Sequence, residues 1–170
     1  MRRLSIEEAK QIELDILAFI DSFCKQHGID YFINYGTLIG AIRHKGFIPW
    51  DDDIDLSMTR ENYERFIQLF TQEQSKYKIL ALETDERYYN NFIKVVDSTT
   101  RIVDNRNTKT YDSGIFIDIF PMDSFNDTKV IDVCYKLESF KLLSFSKHKN
   151  IVYGDSKLKD LIRSFFWFLL

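Results

Sequence analysis

Four aspartates in five positions, Asp51-Asp52-Asp53-Ile54-Asp55, constrain this chain more than any other stretch. Like charges placed together repel unless solvent or a cation relieves them. Here they follow an apolar Phe47-Ile48-Pro49-Trp50 run and lead directly into Leu56-Ser57-Met58. That context is not one of a free acidic tail. The period-two pattern of Asp53 to Met58 predicts a strand, with Asp53 and Asp55 on one side and Ile54, Leu56 and Met58 on the other. The expectation is a divalent-metal site at the mouth of a sheet.

The chain has 170 residues, one domain by size and long enough for a core. With 23 Lys and Arg against 26 Asp and Glu, the net charge is 23 − 26 = −3, so no global basic field recruits nucleic acid. Cys24 and Cys134 lie far apart without C-x-x-C spacing and read as reduced thiols of a cytoplasmic protein. No signal peptide is expected ahead of Ser5, and no stretch approaches the roughly 20 apolar residues of a membrane span.

Ser5-Ile6-Glu7-Glu8 has the form of a capping box. Ile6, Ala9, Ile12, Ile16, Leu17, Ile20, Phe23 and Cys24 recur at three- and four-residue steps, the apolar stripe of a helix that Gly28 closes. Tyr31 to Asn34 reads as a short strand. Gly36 and Gly40 then flank a helical run from Thr37 to His44, whose free N–H groups offer an anion site to which Thr37 adds a hydroxyl. G-x-x-x-G also permits close helix packing. Thr59 is placed to cap a helix carrying Tyr63, Phe66, Ile67 and Phe70. Strands are expected at Tyr77–Leu82, Phe92–Val96, Arg101–Val103 and Ile115–Phe120, with a polar loop over 104–113. Helices are expected over 129–145 and from 156 onward, before the apolar Phe165–Leu170 end.

Hard cations such as Mg²⁺ or Mn²⁺ take carboxylate oxygens, water and phosphate. Asp53 and Asp55 supply a pair. Asp118, a single charge in an apolar strand, needs a partner and is the candidate third ligand. An EF-hand is excluded, because its sixth position would be Leu56 and its twelfth Asn62. Asp51 and Asp52 read as solvated loop charges. Lys94 has two readings: a point charge for a phosphate oxygen, or a side chain snorkelling from a solvent-facing side.

Three segments in fixed order carry a resemblance: Tyr35-Gly36-Thr37-Leu38-Ile39-Gly40-Ala41-Ile42-Arg43-His44, Phe47-Ile48-Pro49-Trp50-Asp51-Asp52-Asp53-Ile54-Asp55, and Gly114-Ile115-Phe116-Ile117-Asp118-Ile119-Phe120-Pro121-Met122-Asp123. Together they resemble the LicD family of phosphocholine transferases, which shares these motifs with the fukutin-related proteins. The Phe92-to-Thr100 segment is also similar to the family. The resemblance implies an α/β (α+β) fold, a nucleotidyltransferase-like mixed β-sheet with flanking helices. It implies a single domain over 1–170 that lacks the family's C-terminal portion, since nothing after Phe145 matches it. The implied activity is transfer of a phospho-alcohol group, phosphocholine from CDP-choline, to a hydroxyl of a cell-surface glycan precursor such as teichoic acid, lipopolysaccharide or capsule. Mg²⁺ (or Mn²⁺) is the implied cofactor, held by Asp53, Asp55 and Asp118, the last completing the site or acting as base. Gly36 and Thr37 would hold the donor's diphosphate, supported by Arg43 and Lys94. The implied partners are a CDP-alcohol and a glycan or glycolipid acceptor, met by a cytoplasmic protein in peripheral contact with the inner face of the membrane.

Two other readings fit the residues. A glycosyltransferase also uses a D-x-D motif at a strand end, but does not need the Gly36-Thr37 helix start upstream. A non-catalytic assembly module would use the apolar C-terminal end as its interaction surface.

Overall fold

The computed structural model describes residues 2–85, 88, 90–102, 113–126 and 129–131. Two compact units divide the chain, one of Met1–Leu80, Asn91–Ile102 and Asp112–Asp123, the other of Ala81–Asn90, Val103–Tyr111 and Ser124–Leu170. The candidate site lies in the first.

Helix α1 (Ile6–His27) starts where its capping box predicts. The Glu8 N–H donates to Ser5 Oγ at 3.2 Å, and the Ser5 N–H donates to Glu8 Oε2 at 2.8 Å. Gly28 ends the helix with φ 59, a left-handed turn that glycine adopts without steric cost. Its buried stripe runs Glu13, Ile16, Ile20, Phe23 and Cys24, while Ile6 stays exposed at the first turn. A carboxylate therefore stands among the aliphatic positions.

Strands β1 (Phe32–Ile33), β2 (Asp55–Thr59), β3 (Tyr77–Leu80), β4 (Ile93–Asp97) and β5 (Phe116–Met122) form one sheet in the order β1-β2-β5-β4-β3. The β2–β5 pair is parallel and the other three are antiparallel. The fold is thus a mixed α/β sheet with flanking helices. Leu56, Met58, Ile117, Ile119, Val95 and Ile93 share one face, and each is at most 1% exposed. α1 and α3 (Arg60–Phe70) pack on this sheet, with Phe19, Phe23, Phe66, Phe70 and Tyr77 in edge-on and tilted ring contacts.

Several boundaries differ from the sequence pattern. α2 (Tyr35–Arg43) begins two residues before Thr37, because Asn34 takes the cap position and its Oδ1 accepts the Tyr35 N–H at 2.8 Å. Tyr35 has φ 46, a conformation uncommon for a bulky residue, at the point where the chain turns from β1 into α2. Thr59 precedes α3 but its hydroxyl makes no capping bond. Asp53 lies outside β2, whose ladder begins at Asp55. Arg101 and Ile102 form no strand; the Ile102 N–H donates to the Ser113 carbonyl at 2.8 Å instead. Residues 129–131 are helical, whereas the rest of that predicted helix, most of the 104–113 loop, Cys134, the helix expected from 156 and the Phe165–Leu170 end lie outside the described residues.

In the second unit a turn over Ala81–Asp85 is closed by the Ala81 N–H donating to Thr84 Oγ1 at 2.9 Å, and Tyr88 is buried. Among the described residues no helix is long and apolar enough to cross a membrane.

The Gly36/Gly40 spacing serves packing. A methyl group at Gly40 would overlap the Gly46 carbonyl oxygen and press the Ile48 amide nitrogen, both backbone atoms. Gly40→Ala is expected to lower stability by about 1–3 kcal/mol, the cost of overpacking. An unchanged urea midpoint for that variant would contradict the close approach of α2 to the 46–48 segment.

Candidate active site

The register of the sheet assembles the site. Asp55 is paired with Asp118 across β2 and β5, and Asp118 with Lys94 across β5 and β4. Adjacent strands lie about 4.8 Å apart, and paired residues project to the same face. Two carboxylates and an ammonium thus form one row across three neighbouring strands, with Asp53 two residues ahead of the row's first member.

Local hydrogen bonds hold the mouth of this row. The Asp55 N–H donates to Thr37 Oγ1 at 2.8 Å and the Asn34 N–H to the Asp55 carbonyl at 3.0 Å. The Asn34 amide donates to Ser57 Oγ at 2.9 Å, and the Asp118 N–H to the Ile54 carbonyl at 3.1 Å. Thr37 therefore anchors Asp55 through its hydroxyl oxygen.

Lys94 does not snorkel. It is 7% exposed, and its Nζ donates to Asp118 Oδ1 at 2.5 Å while standing 3.4 Å from the centre of the Phe116 ring. Burial pushes the ammonium's pKa down and the Asp118 carboxyl's up, while the two partners favour each other's charged form. Burial also raises the pKa of Asp53, with Asp51 next to it adding charge and a hydrogen bond. Asp55 is pushed up to about 6, by burial and then by the charges of Asp53 and Asp118.

Asp51 and Gly36 meet at the start of α2. A side-chain methyl at Gly36 would strike the Asp51 carboxylate, so the glycine leaves room for it. Asp51 is thus no free loop charge: it faces the helix end expected to receive diphosphate. A phosphate there would confront this carboxylate unless a cation stood between them. Arg43 is not brought to that end. It is exposed, and seven residues beyond Gly36 it stands about 10 Å along the helix axis.

A cavity of about 330 Å³ opens beside the acidic group. α1 contributes Leu14 and Leu17, α2 contributes Gly36 and Thr37, and Asp51 and Asp53 supply its carboxylates.

Glu13 escapes a reading based on apolar periodicity. It is 6% exposed, and its Oε2 has no hydrogen-bond partner among the described residues. Its pKa is pushed up to about 8, chiefly by burial and then by the charges of Asp53 and Asp52. A sequence signal was available: Glu13 stands three residues before Ile16 and seven before Ile20, on the buried stripe itself.

The donor set suits a hard divalent cation, since it offers only carboxylate oxygens whose mutual repulsion such a cation would relieve. Among the described residues, no three acidic, His or Cys side chains close into a ready-made cage. Asp118 instead holds the Lys94 ammonium.

The cation-free protein should therefore be pH-sensitive. Glu13 and Asp55 have folded-state pKa values near 8 and 6, above their ordinary 4.5 and 3.8. Groups raised in this way contribute stability that is complete below the ordinary value and is lost as pH rises through the folded value. Carboxylates with lowered pKa, such as Asp97 and Asp123, titrate below that window. The melting temperature in chelator is expected to fall between pH 5 and pH 8.5; a rise over that interval would contradict these environments.

Residues 28–159 match the family described as LicD/FKTN/FKRP, nucleotidyltransferase domain. The chain is 38% identical over 152 residues to the lipopolysaccharide cholinephosphotransferase LicD of Haemophilus influenzae, covering 88% of this chain and 56% of that protein. It is 32% identical over 132 residues to an uncharacterised protein of Rickettsia prowazekii, covering 77% and 45% respectively. Mannosyltransferase regulator 4 of Saccharomyces cerevisiae is 35% identical over 106 residues, 57% of this chain and 8% of the yeast protein. The chain spans about half the length of the first two of these relatives.

Proposed function

We propose, from the premise that this chain belongs to the LicD family, that it transfers a phospho-alcohol group, phosphocholine from CDP-choline, to a hydroxyl of a cell-surface glycan precursor. The observation that carries the reading is the row Asp55–Asp118–Lys94 with Asp53 ahead of it, in a chain 38% identical to a lipopolysaccharide cholinephosphotransferase. Lipopolysaccharide is the acceptor class that this relative supports; teichoic acid and capsule precursors offer the same chemistry.

Asp53, Asp55 and Asp118 would hold Mg²⁺ or Mn²⁺. When bound, the cation supplies charge neutralisation for the donor's diphosphate and for the developing negative charge. The helix start at Gly36 and Thr37 positions that diphosphate, with Asp51 opposite it. The acceptor oxygen attacks the phosphorus bearing the alcohol, the bond to the bridging oxygen of the diphosphate breaks, and CMP departs with that oxygen and its electrons. Asp118 either completes the cation's ligand set or takes the acceptor's proton. Lys94 orients Asp118 and lies next to where charge builds on the phosphoryl oxygens. Arg43 stands too far along α2 for the diphosphate and is left as a contact for outer parts of a ligand.

The cavity beside Asp51 and Asp53 has room for a small alcohol, with aliphatic side chains, Thr37, Lys45 and Phe47 also around it; choline is the alcohol that the similarity to a cholinephosphotransferase supports. The activity is assigned to the cytoplasmic side of the membrane, where CDP-alcohols and lipid-linked precursors meet.

Incubation of the chain with CDP-choline, Mg²⁺ and a lipopolysaccharide acceptor should release CMP and label the acceptor with phosphocholine. Thermal stabilisation by UDP-sugars and not by CDP-alcohols would favour a D-x-D glycosyltransferase instead.

A further inference from the structure

We propose that Tyr35, backed by Phe120, is the platform on which the base of the nucleotide donor stacks; this deepens the donor reading given above and rests on it. Sheet register makes the first observation. Ser57 is paired with Phe120 two residues beyond the Asp55–Asp118 pair, and Phe32 is paired with Ser57 across β1 and β2. Side chains two residues apart on a strand share a face and stand about 6–7 Å apart. A second row of Phe32, Ser57 and Phe120 therefore runs beside the charged row on the same face. Phe92, just ahead of β4, extends it, with its ring centre 4.5 Å from that of Phe120. Tyr35 joins the group nearly perpendicular to Phe120, at 5.4 Å between ring centres.

The second observation is exposure. α1 and α3 pack on the opposite, aliphatic face of the sheet, so these rings are not part of that core. Tyr35 is 55% exposed and Phe120 is half-buried beneath it. Tyr35 also holds φ 46, a costly conformation for a bulky residue and one that collects at ligand sites, where the surroundings enforce it. A large open ring is thus fixed in place beside the charged row.

The occupant that fits is flat and uncharged. Lys94 Nζ already stands 3.4 Å from the centre of the Phe116 ring and 5.2 Å from that of Phe92. A cationic head group on these rings would meet a like charge. A nucleobase brings no charge and stacks on any aromatic face. Its place along the donor fits as well. Tyr35 directly precedes Gly36 and Thr37, the helix start assigned to the diphosphate. The cavity with room for the alcohol lies on the side of Gly36 and Thr37 that faces Leu14 and Asp51, and Tyr35 does not line it. The nucleoside, at the other end of the diphosphate, is left to the rings.

The test measures by calorimetry how the full chain binds CMP, which carries a base, and ribose 5-phosphate, which lacks one, with Mg²⁺ present throughout. Tyr35→Leu keeps an apolar group against Phe120 but removes the ring, and Tyr35→Phe keeps the ring. Loss of a stacking ring weakens base binding about 5- to 150-fold. The Kd for CMP should rise by that factor in Tyr35→Leu and stay near the wild-type value in Tyr35→Phe, while the Kd for ribose 5-phosphate does not move. Proton NMR supplies a second readout: the ring protons of bound cytosine should shift upfield in wild type and Tyr35→Phe, and less in Tyr35→Leu. Equal CMP affinity in wild type and Tyr35→Leu overturns the inference and leaves the donor reading standing. Loss of both ligands by the same factor also overturns it, because Tyr35 would then be holding the phosphate end. A wild-type chain that binds neither CMP nor CDP-choline overturns the donor reading, and this inference with it.

Discussion

Replacing Asp53 and Asp55 together by asparagine is expected to cut CMP release from CDP-choline by about a thousandfold or more. Lewis-acid charge neutralisation contributes several kcal/mol at the transition state, and each 1.4 kcal/mol is a factor of ten. Asparagine keeps the size of each side chain, so the loss would come from charge. Stability should move the other way. Both aspartates have raised pKa values because they are partly buried among like charges. Neutralising them removes repulsion, and the variant should melt at the same temperature as the wild type or above it. Lost activity with undiminished stability is the signature of a functional carboxylate pair. Residual CMP release within tenfold of wild type would dismiss the two residues as cation ligands. A large fall in melting temperature would mean that they hold the fold together and that the activity loss carries no information.

The second large effect is expected at Lys94. Its side chain and that of Asp118 are 8% and 15% exposed, and the two are joined at 2.5 Å in the centre of the sheet. Removing one partner of a buried ion pair costs about 3–5 kcal/mol, because the remaining charge is left uncompensated. Lys94→Met should therefore destabilise the fold by about that amount, aggravated by Asp55 next to Asp118 in register. Adding Asp118→Leu to Lys94→Met should recover most of the loss, since two apolar groups of similar volume replace the pair. Mg²⁺ should also stabilise Lys94→Met more than it stabilises wild type, because a cation can take up the charge the ammonium left. Urea denaturation of the four proteins forms the double-mutant cycle. A coupling energy near zero would place the Lys94–Asp118 contact among ornamental surface pairs.

These two variants separate the roles of neighbouring residues. Asp53 and Asp55, with raised pKa values, are expected to cost stability, and the buried Lys94–Asp118 pair to support it; neutralisation without harm to the fold is expected of the former only. The buried lysine also bears on how a cation is held, because Nζ occupies Asp118 Oδ1 and Oδ2 is the oxygen that Asp118 would offer to a metal.

Much of the scaffold was legible before any coordinates. The capping box at Ser5 and Glu8, the stop at Gly28 and the strand around Asp118 follow from local rules that depend on a few neighbouring residues. The mixed sheet with flanking helices was what the family resemblance implied, and the sheet order β1-β2-β5-β4-β3 agrees with it. The start of α2 was misplaced because Asn34 caps it from a position that reads as strand. Arg101 and Ile102 have strand composition but no ladder partner among the described residues. Lys94 has two sensible readings from sequence because a lysine in an apolar strand can point either way, and only its cross-strand partner decides which.

For the aspartates that begin at position 51, sequence by itself determined the problem to be solved: repelling charges after an apolar run, with another isolated charge far along the chain, the pattern from which the proposed cation is argued. Tertiary structure decided the membership. Register placed Asp55, Asp118 and Lys94 in one row and left Asp53 ahead of the ladder, while packing put Asp51 against Gly36 and buried Glu13 on α1. The physical reason is that strand order and helix rotation are set by burial over the whole sheet. No window of a few residues contains that sum.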